Sequence, residues 1–394
     1  MRRIYFDNNA TTPLLPRVFE AMRPCLLESF GNASSIHQRG QQARAAVEQA
    51  REQVAGLLSA RASEIVFTSG GTEGDNLAVF GFLGILMQPG DHMISSTIEH
   101  HAVLNACKRL EQMGVAVSYV ACGSDGVVRP EDVQAALRPE TKLISVMMAN
   151  NETGALQPVE AISDVARHAG VRFHTDAVQA AGKVPIEVER IGCDLLTLSA
   201  HKLHGPQGVG ALFVRRGTHL RPLLLGGRHE RGRRAGTENL AGIVGFGKAA
   251  ELATEWLAGG GDQQIAGLRD RLEWGICSAV EATRVNAGAA ARVPNTSNIF
   301  FDGIEGEGFV IAMDLKGISV STGAACSSGS TEPSHVLTAM GLSPEEARAS
   351  IRFSLGKQNT AEEVDYVLAQ IPEVVSELRE LSPSWAGKHV AGRR

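Results

Sequence analysis

Asp176 and Lys202 stand at or just beyond the ends of two short apolar runs, VRFHTDA at 171–177 and DLLTLSA at 194–200. A lysine amine condenses with an aldehyde, and a carboxylate against a pyridine nitrogen keeps that nitrogen protonated. The pair therefore suits pyridoxal phosphate. The charge-assisted hydrogen bond is worth about 1.5 to 3 kcal/mol, more than an exposed ion pair delivers. Taken alone, each residue has a plainer reading: Asp176 as a helix cap, Lys202 as a solvated loop lysine. A phosphate also needs a cradle. Residues 68–73, TSGGTE, follow a strand-like run with two glycines and open a helix, whose free amides attract an anion. Thr72 adds a hydroxyl there, and Ser199 and His201 flank Lys202 with further donors. Alone, such a turn is equally an ordinary strand-to-helix connection; with the lysine it becomes a phosphate site. A second Gly- and Arg-rich loop, GGRHERGRRAGTEN at 226–239, precedes a helix. Its alternatives are a solvated charged loop or a nucleic-acid patch. The glycines and Thr237 favour an anion contact offered to a neighbouring subunit.

Cys326 lies in GAACSSGSTEPS, a run of small residues that does not pack rigidly, so its thiol can move between a buried cofactor and the surface. The remaining cysteines, at 25, 107, 122, 193 and 277, lie in apolar or helical contexts and read as small core residues.

The elements that must position these groups alternate. Strand-like runs begin at 65, 92, 115, 143, 171, 194 and 208, with helical patterns at 73–88, 101–113 and 130–137 between them. Short apolar runs of this kind read as buried parallel strands of a doubly wound α/β sheet, whose carboxyl ends share one ligand-binding rim. A helix at 238–257 closes this large unit, 16–258, before the break GGGD at 259–262. A smaller α+β unit follows: a helix at 263–281, a strand at 296, a helix at 306–316, strands at 319 and 350, and a helix at 360–381. Residues 1–15 join 259–394 in that unit, because chain ends tend to meet. It carries the cysteine loop at about 322–334. PSWAGKHVAGRR, the last dozen residues, reads as a fraying tail.

With 394 residues, 43% of them hydrophobic, the chain can bury one large core and a smaller second one. A formal charge of -5 leaves no basic footprint for nucleic acid. The six cysteines include no CxxC pair, so a disulfide framework or zinc knuckle is not expected and a reducing cytosol is. LAVFGFLGILM, from 77, is too short to span a bilayer, and the N-terminus lacks the apolar core of a signal peptide. A cytoplasmic protein without membrane association is expected.

DNNATTP at 7, FGNASS at 30, FTSGGTE at 67, EHHAVL at 99, ANNETG at 149, FHTDAVQA at 173, SAHKLHGPQGVG at 199, GRRAGTEN at 232, ACSSGSTEPSHV at 325 and SIRFSL at 350 follow one another in a recognisable order. On these motifs the chain resembles the pyridoxal-phosphate-dependent cysteine desulfurases of the NifS/IscS type, in the class V aminotransferases of fold type I. HTDAVQA, HKLHGP and RGRRAGTEN are closer to the nitrogen-fixation branch. The resemblance implies a seven-stranded, mainly parallel sheet in the large domain. It also implies conversion of L-cysteine to L-alanine, with the sulfur left as a persulfide on Cys326.

Position by position, the resemblance makes Lys202 the Schiff-base lysine and Asp176 the partner of the pyridine nitrogen. Asn151 and Gln179 take the phenolic-oxygen side, and His100 stacks on the ring and moves protons in preference to His101. Gly71, Thr72, Ser199 and His201 hold the phosphate, with Thr237 reaching it from the other subunit of a homodimer. Arg352, with Asn151, binds the substrate carboxylate, since a guanidinium pairs bidentately with it; Asn151 as a strand terminator and Arg352 as a structural ion pair are the plainer alternatives. The implied acceptor is an iron-sulfur scaffold protein, with Cys326 a transient ligand of a [2Fe-2S] cluster shared with it. The chain departs from relatives at Gly74, Ala33, Gln207 and Ala324, where they usually carry serine, proline, lysine and serine; none of these removes a catalytic group. Alternatives are a selenocysteine lyase, another lyase or aminotransferase of the same fold, and a noncatalytic assembly scaffold.

Overall fold

The computed structural model describes residues 3–86, 90–322, 332–383 and 385. Its strands are β1 (Ile4–Tyr5), β2 (Ile65–Thr68), β3 (His92–Ser96), β4 (Ala116–Val120), β5 (Thr141–Ser145), β6 (Arg172–Asp176), β7 (Leu195–Ser199), β8 (Gly210–Val214), β9 (Thr283–Asn286), β10 (Thr296–Phe301), β11 (Ile318–Ser319), β12 (Ser321–Thr322) and β13 (Ser350–Ser354). Seven form one sheet in the order β2-β8-β7-β6-β5-β3-β4.

All neighbours in that sheet run parallel except β8, which is antiparallel to both β2 and β7. The reason is length. Only ten residues separate Ser199 from Gly210, whereas a parallel return needs a crossover of about a dozen or more. The steps reverse direction between β3 and β5, because β5 passes over β3 before the chain runs β5, β6, β7. Such a switch opens a crevice at the carboxyl ends of the strands.

Two helices absent from the sequence reading, Pro16–Leu27 and Gln38–Leu57, cover the sheet with Leu240–Ala258. Gln38–Leu57 is rich in Gln, Arg and Ala, so its apolar periodicity is faint. It nevertheless buries Gly40, Ala43, Val47, Ala50 and Val54 at three- and four-residue spacing. A Cβ on Gly247 would come within 2.6 Å of Ala50 Cα, so the glycine lets the two helices approach. Phe246, on the same helix, is fully buried and meets Phe67 of β2 edge to face at 6.4 Å.

A second sheet, β12-β13-β10-β9, is antiparallel. It packs on the helices Gly261–Ala279, Gly306–Leu315 and Ala361–Glu380 around a core that includes Leu272, Ile299, Phe309, Ile351 and Val367. Ile4 and Phe6 belong to this core, and β1 pairs with β11.

The expected helices end within a few residues of their expected limits; unexpected ones also appear, Val159–His168 the longest after the two above, and the connections and strands differ as well. The GGGD break is no linker: Gly260, at φ 75°, turns Leu240–Ala258 directly into Gly261–Ala279. The single strand expected at 319 is two short ones, β11 and β12, in different sheets. Strand β9 was not foreseen. Of the expected tail, residues 384 and 386–394 lie outside the described residues. Among the described residues, no helix is long and apolar enough to cross a membrane.

Candidate active site

A cavity of about 350 Å³ opens at the carboxyl ends of β3, β5, β6 and β7. It gathers Gly71, Thr72, His100, Asn151, Asp176, Gln179, Ser199, His201, Lys202 and Arg352 on its walls. Those are all the cofactor and substrate residues expected from sequence except Thr237, which is exposed and does not line it. Cys326, expected nucleophile and transient cluster ligand, lies outside the described residues.

The anion corner is made by the first turn of the helix Gly71–Leu86, by Ser199 at the end of β7, and by His201 in the following turn. At Gly71 a side chain is excluded, since its Cβ would fall 2.9 Å from Val178 Cγ2. Glu73 accepts from Ser69 N at 2.7 Å and pairs with Arg234 at 2.9 Å, which ties the phosphate turn to the 226–239 loop. That loop spends its charges inside the chain. Glu230 pairs with buried Arg51 at 2.7 Å, and Arg231 and Arg233 donate to Ser63 O. Arg231, Arg233 and Arg234 are structural ties, so Thr237 and the exposed Arg228 keep the anion-contact expectation open.

Lys202 follows β7 in a short 3-10 turn, Ala200–Lys202, and its Nζ donates to Asn9 O at 2.6 Å and Ala10 O at 2.7 Å. Asp176 ends β6, and its Oδ1 accepts from Val178 N at 2.9 Å. Burial pushes its carboxyl up to about 6, against the pull of that hydrogen bond and of Lys202. His100 caps the helix His101–Gln112, accepting from Ala102 N at 3.1 Å through Nδ1. Burial, then Lys202 and the neighbouring His101 and His335, push it down to about 4. The neutral ring therefore carries its proton on Nε2. His201 is likewise pushed down to about 4 by burial and Lys202.

Gln179 Nε2 donates to Asn9 O at 2.9 Å. The Asn151 backbone carbonyl accepts from Asn9 Nδ2 and from Arg352 Nη1, the latter at 3.0 Å. Arg352 is 2% exposed, pairs with Asp7 at 2.8 Å, and keeps its buried Nε without a hydrogen-bond partner. The structural pairing left open from sequence is thus present, on a side chain that also lines the cavity.

Several groups here escaped the sequence reading. Asn9 and Ala10 sit in DNNATTP, a motif noticed but given no role. Asp75 lines the cavity one turn beyond Thr72, fully buried, with its Oδ1 3.6 Å from His174 Nε2 and the Thr197 hydroxyl beside it. Glu99, beside His100, accepts from Ser96 Oγ at 2.5 Å and Met147 N at 2.9 Å. Burial drives both acids up, Glu99 to about 8, and the charge of Asp176 adds to the effect. Of the cysteines read as core residues, Cys107 and Cys193 are buried and their thiols pushed up to about 12 by burial. Cys25 and Cys122 are half-buried, but Cys277 is exposed, on the solvent side of Gly261–Ala279, and corrects that reading.

The residues fit pyridoxal phosphate. Hydroxyls and helix-start amides suit the phosphate, a buried acid suits the ring nitrogen, and a lysine amine suits the aldehyde, all on one cavity. Comparison with known proteins agrees. Residues 4–367 match the family model described as aminotransferase class-V. A cysteine desulfurase IscS of Dictyoglomus turgidum is 46% identical over 385 residues, 97% of each chain. A solved structure described as a NifS-like protein superposes with a TM-score of 0.90 at 39% identity, over 96% of this chain and 100% of that one. Another, described as SspA in complex with cysteine, gives 0.80 at 37% identity, over 91% of this chain and 100% of that one. Matched almost end to end in both sequence and fold, the chain belongs to the class V aminotransferase family and, within it, to the cysteine desulfurases.

Proposed function

We propose that this chain removes sulfur from L-cysteine with pyridoxal phosphate, using the cavity between β3 and β7 as its active site and Cys326 as the sulfur acceptor. The observation that carries the reading is the convergence of Lys202, Asp176, His100 and the Gly71 turn on one cavity, in a chain of desulfurase descent.

Lys202 would hold the cofactor through Nζ, Asp176 would face its ring nitrogen, and Gly71, Thr72, Ser199 and His201 would hold its phosphate. Asn151 and Gln179 would face its phenolic oxygen. When bound, the cofactor supplies an electron sink for the pair left at the substrate α carbon. Arg352 would orient the substrate carboxylate from the cavity wall. His100, neutral above pH about 4 with its proton on Nε2, and Lys202 Nζ would move protons between the substrate carbons. Cys326, as thiolate, would bond to the substrate sulfur as the Cβ–S bond breaks. The carbon keeps the bonding pair and takes a proton, so alanine leaves and a persulfide remains.

A homodimer, with Thr237 of one subunit completing the other's phosphate site, is part of the proposal; Thr237 is exposed and lies off its own chain's cavity, as that arrangement requires. The division into a large domain, 16–258, and a small one, 1–15 with 259–394, is supported by the two sheets and by Ile4 and Phe6 in the second core. An iron-sulfur scaffold as sulfur acceptor, with a cluster passing Cys326, a nitrogen-fixation role and a cytoplasmic location complete the proposal.

Alanine and sulfide are to be measured together from L-cysteine and a thiol reductant. Equal yields are expected for the wild type, and for Cys326→Ala loss of sulfide with the cofactor absorption retained. Unchanged sulfide from the variant removes Cys326 from its role.

A further inference from the structure

Lys183 has no part in the roles assigned above, yet it is only 7% exposed and reaches the site from behind. Its Nζ donates to Gln179 Oε1 at 2.7 Å and to Asn9 Oδ1 at 2.8 Å. Both partners are amide oxygens. A buried amine held in this way returns little of its desolvation cost as ion pairing, and burial, then Lys202 and Arg352, push it well below the usual lysine range.

Orientation is what these bonds supply. Lys183 Nζ donates to both amide oxygens, and the Asn9 carbonyl, which can only accept, faces the other end of the Gln179 amide, so the end facing Lys183 is the oxygen and that other end is NH2. One N–H of that end goes to Asn9 O at 2.9 Å, which leaves the second for the cavity that Gln179 lines. Asn9 is fixed from both sides. Its side-chain oxygen also accepts from Asn295 Nδ2 at 3.1 Å, and its backbone carbonyl also takes Lys202 Nζ at 2.6 Å.

We propose that Lys183 is a positioning residue: by holding Gln179 Oε1 and Asn9 Oδ1 it turns the Gln179 amide nitrogen toward the cofactor's phenolic oxygen and sets the Asn9 carbonyl beneath Lys202. The inference deepens the proposed function and rests on it. An N–H beside the phenolic oxygen stabilises its anion, so losing that donor raises the pH at which the Lys202-linked cofactor gives up its proton.

The test uses wild type, Lys183→Met, Gln179→Leu and the double variant, each loaded with pyridoxal phosphate. It measures the pH midpoint of the cofactor's visible absorption, the cofactor dissociation constant and the melting temperature. Lys183→Met is expected to raise the midpoint by about one pH unit and to weaken cofactor binding about 10-fold, the worth of one well-placed hydrogen bond. In the Gln179→Leu background the same substitution is expected to move the midpoint by less than about 0.3 pH unit and the dissociation constant by less than about twofold. Lys183→Gln keeps N–H donors one bond short of the amine and is expected to fall between; it carries the test if Lys183→Met does not fold. Equal shifts in both backgrounds, or no shift in a folded Lys183 variant, overturn the proposal. A wild type whose absorption is the same as that of Lys202→Ala would instead overturn the site assignment, and this inference with it.

Discussion

At the scale of single residues, the site is governed by which acids keep their protons. Asp75, Glu99 and Asp176 are each raised first by burial, and the charge of Asp176 raises Asp75 and Glu99 further; His174, beside Asp75, is held neutral by burial, pushed down to about 3. Glu99 gives the cleanest test. Its carboxyl is raised from an ordinary value near 4.5 to about 8, so the folded protein holds that proton across a range where the unfolded chain has released it. The stability this contributes is complete below about 4.5 and is lost as the pH rises toward 8, at about 1.4 kcal/mol per unit. Glu99→Gln removes the titration. Urea unfolding at pH 5, 6.5 and 8 is expected to show wild type losing stability relative to this variant as pH rises, and parallel curves would rule out a protonated Glu99. Sequence could name Lys202, Asp176 and His100 because the chemistry of their types and the motif order fixed them. It was silent on Asp75 and Lys183, whose importance comes from what surrounds them rather than from what they are.

At the scale of elements, packing settles what patterning left faint. The helix Gln38–Leu57 has few large apolar residues, and its stability as part of the fold comes from Leu240–Ala258 lying against it. Phe246 is the largest anchor of that second helix, and replacing it leaves a void beneath β2 that the close-packed neighbours cannot refill. Phe246→Ala is expected to cost about 3 to 5 kcal/mol in chemical denaturation. A loss under about 1 kcal/mol would mean that the helix does not anchor there. The strands were the most legible elements, since short Val-, Leu- and Ile-rich runs have few other uses. Strand β8 looked the same as its neighbours in sequence; its reversed direction follows from the short connection after Lys202.

At the scale of the whole molecule, the proposed dimer is testable through mixed subunits. Thr237→Val is expected to weaken cofactor binding about 10-fold or more, as loss of a hydrogen bond to a charged phosphate would. Mixed with Lys202→Ala chains, the same variant is expected to regain one tight site per dimer, because the intact Thr237 and the intact Lys202 then meet across the interface. Equal weakness in the homodimer and in the mixture would place Thr237 outside the partner's site.

The sequence by itself determined the alternation of strands and helices, the cofactor chemistry and most of the residues that line the cavity. Each of those depends on residue type and on order along the chain, both of which are local. Only the tertiary structure decided the strand order, the pairing of Arg352 with Asp7, the buried acids beneath Asp176 and the bonds of Lys183 to Gln179 and Asn9. Asp7 and Arg352 are separated by 345 positions, Asn9 and Lys183 by 174. Contacts at that range leave no periodicity or spacing in a single chain, and they arise only when two sheets and their covering helices close on one cavity.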